Sequence, residues 1–181
     1  MTQARLLDWI LPVTRVAEID WDDAYREELP RVLSYFRFRV SDLATAEDLA
    51  SLTFEKAWRA RRRYRQDLAS VGTWLLAIAR NVAVDHWRAR RPHVSLDALP
   101  ELPQDTTLEA DLQRRTDRRR LSTLLAELPE REQELIALKY GAGETNRAIA
   151  RLTGLSESNV GTILSRTVAA LRSRWAEGGS L

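Results

Sequence analysis

One stretch limits what this chain can fold into more than any other. Residues 146 to 163 read Asn-Arg-Ala-Ile-Ala-Arg-Leu-Thr-Gly-Leu-Ser-Glu-Ser-Asn-Val-Gly-Thr-Ile. The small and apolar residues fall where two helices joined by a tight turn need them. Ala150 is small where the helices cross, and Gly154 can take the left-handed turn conformation. Leu155, Val160 and Ile163 pack the second helix onto the first. Ser156 suits the N-cap of that second helix. On a 100° wheel Val160, Ile163, Leu164, Val168 and Leu171 gather on one side, and Ser158, Thr162, Ser165, Arg166 and Arg172 on the other. A helix of this kind fits the major groove of DNA, where Ser, Thr and Arg reach base edges or phosphates. The competing reading is an ordinary helical hairpin in which Gly154 is only a C-cap; the register of five apolar and small positions favours DNA binding.

The rest of the chain reads as helix too. Alternation of apolar and polar residues is nearly missing, while Ala, Leu, Arg and Glu recur at spacings of three and four, so the fold class is all-α. A first helix is predicted over 22–40, with Tyr25, Leu29, Val32, Leu33 and Phe36 on one side and Pro30 inside it. A second opens at Thr45 as N-cap, with Leu49, Leu52, Thr53, Ala57 and Ala60 on one face and Asp48, Ser51 and Glu55 pointing the other way. A third runs from about Ser70 to Arg90, with Val71, Leu75, Ile78 and Val82 in register. Residues 94–112 carry five acids, two prolines and no Lys or Arg, the composition of a flexible linker that lets two small domains move apart. Helices follow over 117–128, stopped by Pro129, and over 130–140, ended by Gly141 and Gly143, and then two further short ones.

Composition excludes several functions. The chain has no cysteine and only two histidines, His86 and His93, which removes disulfides, thiolate zinc sites and cysteine nucleophiles, and fits a reducing cytoplasm. No Gly-rich phosphate loop, metal cluster or nucleophile with its base can be assembled, so no catalytic residue, metal or cofactor is expected. Neither a signal peptide nor a membrane span is credible.

The net charge of +2 hides a segregation: residues 56–93 hold ten Lys and Arg against two acids, whereas residues 1–55 hold six against eleven. Clustered cations of this kind suit a polyanion, although a solvated helix face is the plainer reading of an arginine run alone. Here Lys56, Arg59, Arg61, Arg62, Arg63 and Arg65 are interleaved with Trp58 and Tyr64, and Trp74, Trp87, Arg88, Arg90 and Arg91 follow. Charges track a backbone and rings stack on unpaired bases, each stack contributing about 1 to 3 kcal/mol. For any one of these tryptophans alone a core anchor is the plainer reading, and it is their combination with the arginines that points to bases. Asn81, a polar amide in the apolar run 78–84, either completes a buried network or projects to a ligand; periodicity alone does not choose.

These residues resemble a known family. Ala46-Glu47-Asp48-Leu49 with Thr53-Phe54 and Ala57-Trp58, then Thr73-Trp74-Leu75 with Ile78-Ala79-Arg80-Asn81 and Asp85, look like the sigma-two domain of extracytoplasmic-function sigma factors. Leu128-Pro129-Glu130-Arg131-Glu132 and the helix-turn-helix look like their sigma-four domain. The resemblance implies a sigma-two helical bundle over 22–92 and a sigma-four domain over 115–177, with an acidic linker over 93–114 and an extension over 1–21 outside the match. It implies a dissociable subunit that directs core RNA polymerase to promoter DNA and helps melt it. Asp48, Ser51 and Glu55 would grip the polymerase clamp. Arg61, Arg62, Arg63, Tyr64, Trp74, Arg80, Asn81 and Arg88 would capture the unpaired minus 10 strand. Ser156, Ser158, Asn159, Thr162, Ser165 and Arg166 would read the minus 35 element while the domain docks on the polymerase flap. An anti-sigma factor is a partner common in the family. Two departures stand out: Ser51-Leu52 replaces the Gln and acid of many members, and Gly161 and Ile163 stand where many have Lys or Arg. The competing function is a helix-turn-helix regulator that binds duplex DNA at paired half-sites without being a polymerase subunit.

Overall fold

The computed structural model describes residues 19–40, 42–89 and 108–177, the side chains of 108–115 excepted. The described residues form seven α-helices and no strand. The expected extension over residues 1–21 lies almost wholly outside them, as does most of the expected linker.

Helix α1 (Trp21–Arg37) starts where Asp20 caps it, its carboxylate accepting from the backbone N–H groups of Asp22 and Asp23 at 3.1 Å. Asp22 and Asp23 add negative charge at the positive end of the helix dipole. Pro30 removes one backbone donor, yet the helix continues because Ala24 before it and Val32, Tyr35 and Phe36 after it are all buried. Helix α2 (Leu43–Ala60) is capped by Asp42 and not by Thr45 as expected; the Asp42 carboxylate accepts from both the N–H and the hydroxyl of Thr45, at 2.8 and 2.6 Å. A carboxylate is the stronger acceptor, so Thr45 serves as the N3 donor and the helix gains a turn. A short 3-10 turn, Arg61–Arg63, leads to a loop and then to α3 (Val71–Ala89). Packing of α1, α2 and α3 on one another buries Leu49, Phe54, Leu75, Leu76 and Val82 between them.

Helix α4 (Leu108–Ala126) begins earlier than the expected linker boundary at 114. Pro100 and Pro103, which marked the linker, both precede it; no Gly or Pro interrupts residues 104–128, and the acids Glu109 and Asp111 open a helix whose arginines come later. Helix α5 (Glu130–Ile136) passes into a π-turn, Ala137–Gly141. Helix α6 (Asn146–Thr153) is capped by the Thr145 hydroxyl, which accepts from Ala148 N–H at 3.1 Å, and ends at Gly154 with φ 74°. Helix α7 (Glu157–Glu177) is one long helix where a short one was expected, since nothing breaks it before Gly178.

The two helical modules are not held apart. The π-turn packs on α1 and α6 touches α3, and one hydrophobic cluster runs from Val32, Tyr35 and Leu76 in the first module to Leu135, Leu138, Ile149 and Val160 in the second. The glycine at 141 is required by this contact. A Cβ there would lie 3.0 Å from the Ser34 carbonyl oxygen and 3.2 Å from Tyr35 Cα, while the left-handed conformation is taken by Gly143 at φ 71°.

Candidate nucleic-acid interface

In the first module the expected residues divide by helix face. Asp48, Ser51 and Glu55 are all exposed on α2, at spacings of three and four that put them on one side. Glu55 pairs with Arg59 at 2.5 Å on that surface, and Leu52 beside it is 38% exposed. Helix α2 packs on α1 and α3 with its opposite side, so this face stays clear of the second module.

Beyond α2, three of the rings in the basic block, Trp58, Tyr64 and Trp74, form a connected group, whereas Trp87 lies under the Arg39 guanidinium. Trp58 is 48% exposed and carries the Arg61 guanidinium 4.0 Å above its ring. Trp21 joins Trp58 to Trp74 by edge-on contacts, with centroids 5.3 and 6.4 Å apart, and Tyr64 lies against Trp74 at 5.1 Å. Arg62 and Arg63 are exposed. Tyr64 itself is buried, and its hydroxyl donates to the Ala69 carbonyl at 3.0 Å, closing the loop after the arginines; burial raises its pKa. Its part is to support Trp74, with little surface of its own to offer a base. Arg65 and Asp67 pair in that loop at 2.7 Å, which holds the Asp67 carboxyl below its usual range.

On α3 Trp74, Asn81 and Arg88 recur every seven residues and so share a face. Asn81 and Arg88 are exposed and Trp74 half-buried, so of the two readings of Asn81 the geometry takes the one in which it projects outward. Arg80 is turned away from them: its Nε donates to Glu134 at 2.7 Å and its Nη1 to the Leu152 carbonyl at 2.9 Å, both in the second module. Trp21 was missed in the sequence because the expected domain began one residue later. Its signal was legible, since Trp21, Tyr25 and Leu29 follow at i, i+4 and i+8.

In the second module the helix-turn-helix has the geometry its register implied. Val160 and Leu164 are buried, and Ile163, Val168 and Leu171 partly so. Ser156 caps α7, its hydroxyl accepting from Asn159 N–H at 3.2 Å. Ser158, Asn159, Thr162, Ser165 and Arg166 are exposed along the outer side. Thr167, by contrast, is buried and donates to Glu132 at 3.2 Å, a fixing contact between α7 and α5. Beside the outer face lies a groove of about 320 Å³ lined by Lys139, Tyr140, Asn146, Gly161, Ser165 and Arg172. Lys139 and Tyr140 escaped the sequence reading because they end the preceding helix, outside the motif.

Among the described residues no three His, Asp or Glu side chains gather as a metal site, and no helix is long and apolar enough to cross a membrane.

Comparison with known proteins adds two matches to family models, Sigma-70 region 2 over residues 24–93 and Sigma-70 region 4 over residues 118–171. The chain is 30% identical over 155 residues to the ECF RNA polymerase sigma factor BldN of Streptomyces coelicolor, covering 81% of this chain but 57% of that protein, a little over half its length. It is 31% identical over 157 residues to the ECF RNA polymerase sigma factor SigC of Mycobacterium tuberculosis, covering 84% of this chain and 74% of that one. The fold is similar to that of CnrH, solved in complex with the cytosolic domain of CnrY, with a TM-score of 0.67 at 20% identity over 87% of this chain and 88% of that chain.

Proposed function

This chain belongs to the extracytoplasmic-function branch of the sigma-70 family, and from that membership we propose that it is a promoter-specificity subunit of RNA polymerase. It binds core polymerase, recognises promoter DNA with both modules and helps to open the duplex at the minus 10 element. The observation that carries this reading is the exposed group of Trp58, Arg62 and Arg63, with Arg61 lying over Trp58, joined through Trp21 to Trp74 on the α3 face that also holds Asn81 and Arg88. Duplex readers bind paired bases from a groove and have little use for exposed rings set among arginines. A surface that holds single strands needs both.

Each part then has a task. The α2 face of Asp48, Ser51 and Glu55 docks on the polymerase clamp. Arginines after α2 hold the backbone, and Asn81 accepts and donates to the edge of an unstacked base. Extracting a base costs a few kcal/mol, which stacking and backbone contacts offset. Helix α7 enters the major groove of the minus 35 element through Ser158, Asn159, Thr162, Ser165 and Arg166. Gly161 presents no side chain there, so base reading rests on short polar groups and Arg166.

The test is transcription from a genomic promoter library by core polymerase with and without the chain. Initiation at a defined subset of promoters, dependent on the chain, is the expected result. Tight binding to duplex DNA by the chain alone, with no promoter-dependent initiation, would instead favour the free regulator.

A further inference from the structure

Where α1 gives way to α2, α4 lies across an open cleft of about 220 Å³. Phe38, Val40 and Leu43 form one wall of it. On α4 the lining residues Arg118, Leu121, Ser122 and Leu125 follow at i, i+3, i+4 and i+7, one continuous stripe. Leu121 is exposed there, so the apolar wall is open to solvent. Arg37, in the last turn of α1, stands in the same lining as Arg118.

Other arginines of these two helices have partners. Arg31 pairs with Glu28 and Glu144, Arg39 faces Glu130 at 3.9 Å, and Arg120 lies over the Trp175 ring and donates to its carbonyl. Arg37 and Arg118 have no carboxylate, carbonyl or ring partner among the described residues. Asp42 also lines the cleft, but its carboxylate is held at the start of α2, accepting from the N–H and hydroxyl of Thr45. The lining therefore joins apolar walls to an excess of positive charge. We propose that this cleft binds a small amphipathic carboxylate, its tail between the two walls and its head on Arg37 and Arg118.

Chemistry and size both select that class. A guanidinium takes a carboxylate through two parallel N–H donors, and the bond is stronger beside apolar walls than in open water. Ser34 and Ser122 line the same space and can donate to the head from their hydroxyls. A cation would be repelled, and a nucleic-acid backbone has no tail for the leucines. An engineered cavity of about 150 Å³ admits benzene, so about 220 Å³ has room for roughly nine non-hydrogen atoms. One helical turn of a protein partner, about 10 Å wide and 5.4 Å long, occupies roughly twice that volume. Such a ligand touches both helical modules at once, and none of the residues that hold it belongs to the surfaces assigned to DNA or polymerase. The site therefore stands or falls apart from the sigma reading.

Calorimetric titration of the full chain with sodium octanoate at constant ionic strength tests the proposal, with 1-octanol and octylammonium as probes of the same tail and a different head. Octanoate should bind at one site, and the other two about tenfold more weakly or not at all. Shortening the acid should weaken binding by about fourfold for each methylene removed. Arg37→Gln with Arg118→Gln should bring octanoate down to the level of octanol and leave the thermal midpoint of the unliganded chain unchanged. Leu121→Trp, which places an indole in the cleft, should abolish octanoate binding. If that variant lowers the thermal midpoint, the arginine pair alone decides. Octanol bound as tightly as octanoate, or octanoate binding that survives the arginine pair, overturns the proposal. So does the absence of octanoate binding, the result expected if another part of this chain or a second copy fills the cleft.

Discussion

Gly161 lies inside α7 and needs none of glycine's conformational freedom; a Cβ there would meet only Asn146 Nδ2, at an ordinary 3.5 Å. Gly161→Ala should therefore stabilise the fold by about 0.5 to 1 kcal/mol, seen as a higher denaturant midpoint with an unchanged slope. A lower midpoint would mean that the groove beside α7 has no room for the methyl group. Asn81 makes the opposite kind of prediction. Because it is exposed, Asn81→Ala should leave stability within about 0.5 kcal/mol and weaken single-strand capture by about 1 kcal/mol. Loss of stability without loss of capture would show a structural amide. At this scale the sequence exposed much of the surface: the short polar residues of α7 and Arg62 and Arg63 after α2 lie outside, and Asn81, which periodicity left open, is exposed too. It hid Trp21, which a domain boundary cut off, the burial of Tyr64 in its own loop, and the pairing of Arg80 with segments that return from elsewhere in the fold.

Helix ends were legible wherever a single strong signal stood alone. Gly154 and Ser156 close and open α6 and α7 where the register placed them, and Pro129 separates α4 from α5. Ends with two contenders were misread. Asp42 and Thr45 are both competent caps, and the carboxylate takes the position. In the acidic segment the first turns of α4 carry the same acids as a linker would, so composition could not mark where the helix begins. Thr145 offers a direct check of capping at the helix-turn-helix. Thr145→Ala should cost about 1 kcal/mol by leaving Ala148 N–H unbonded, measured as a lower denaturant midpoint. No change would mean that water replaces the hydroxyl at that end.

For the whole molecule, the two helical modules and their order could be read from the chain, but the way they sit together could not. Their contact rests on pairs more than 50 residues apart, such as Arg80 with Glu134 and Arg31 with Glu144, and no local pattern announces such a pairing. The charge segregation was visible as a block, and its use depends on which cations remain free once the modules dock. Arg62 and Arg63 remain exposed and Arg61 lies over Trp58. Replacing Arg61, Arg62 and Arg63 with Ala should flatten the salt dependence of single-strand binding by about 0.7 in the log-log slope per lost phosphate contact, about 2 in all. An unchanged slope would remove this loop from the binding surface. The central claim, that this chain opens promoters as a polymerase subunit, is tested most directly by permanganate reactivity of thymines across a promoter that depends on it. Reactive thymines should appear in the minus 10 region only when core polymerase and the chain are both present, and fade with Asn81→Ala. Protection of intact duplex by the chain alone, with no reactive thymines when polymerase is added, would contradict it.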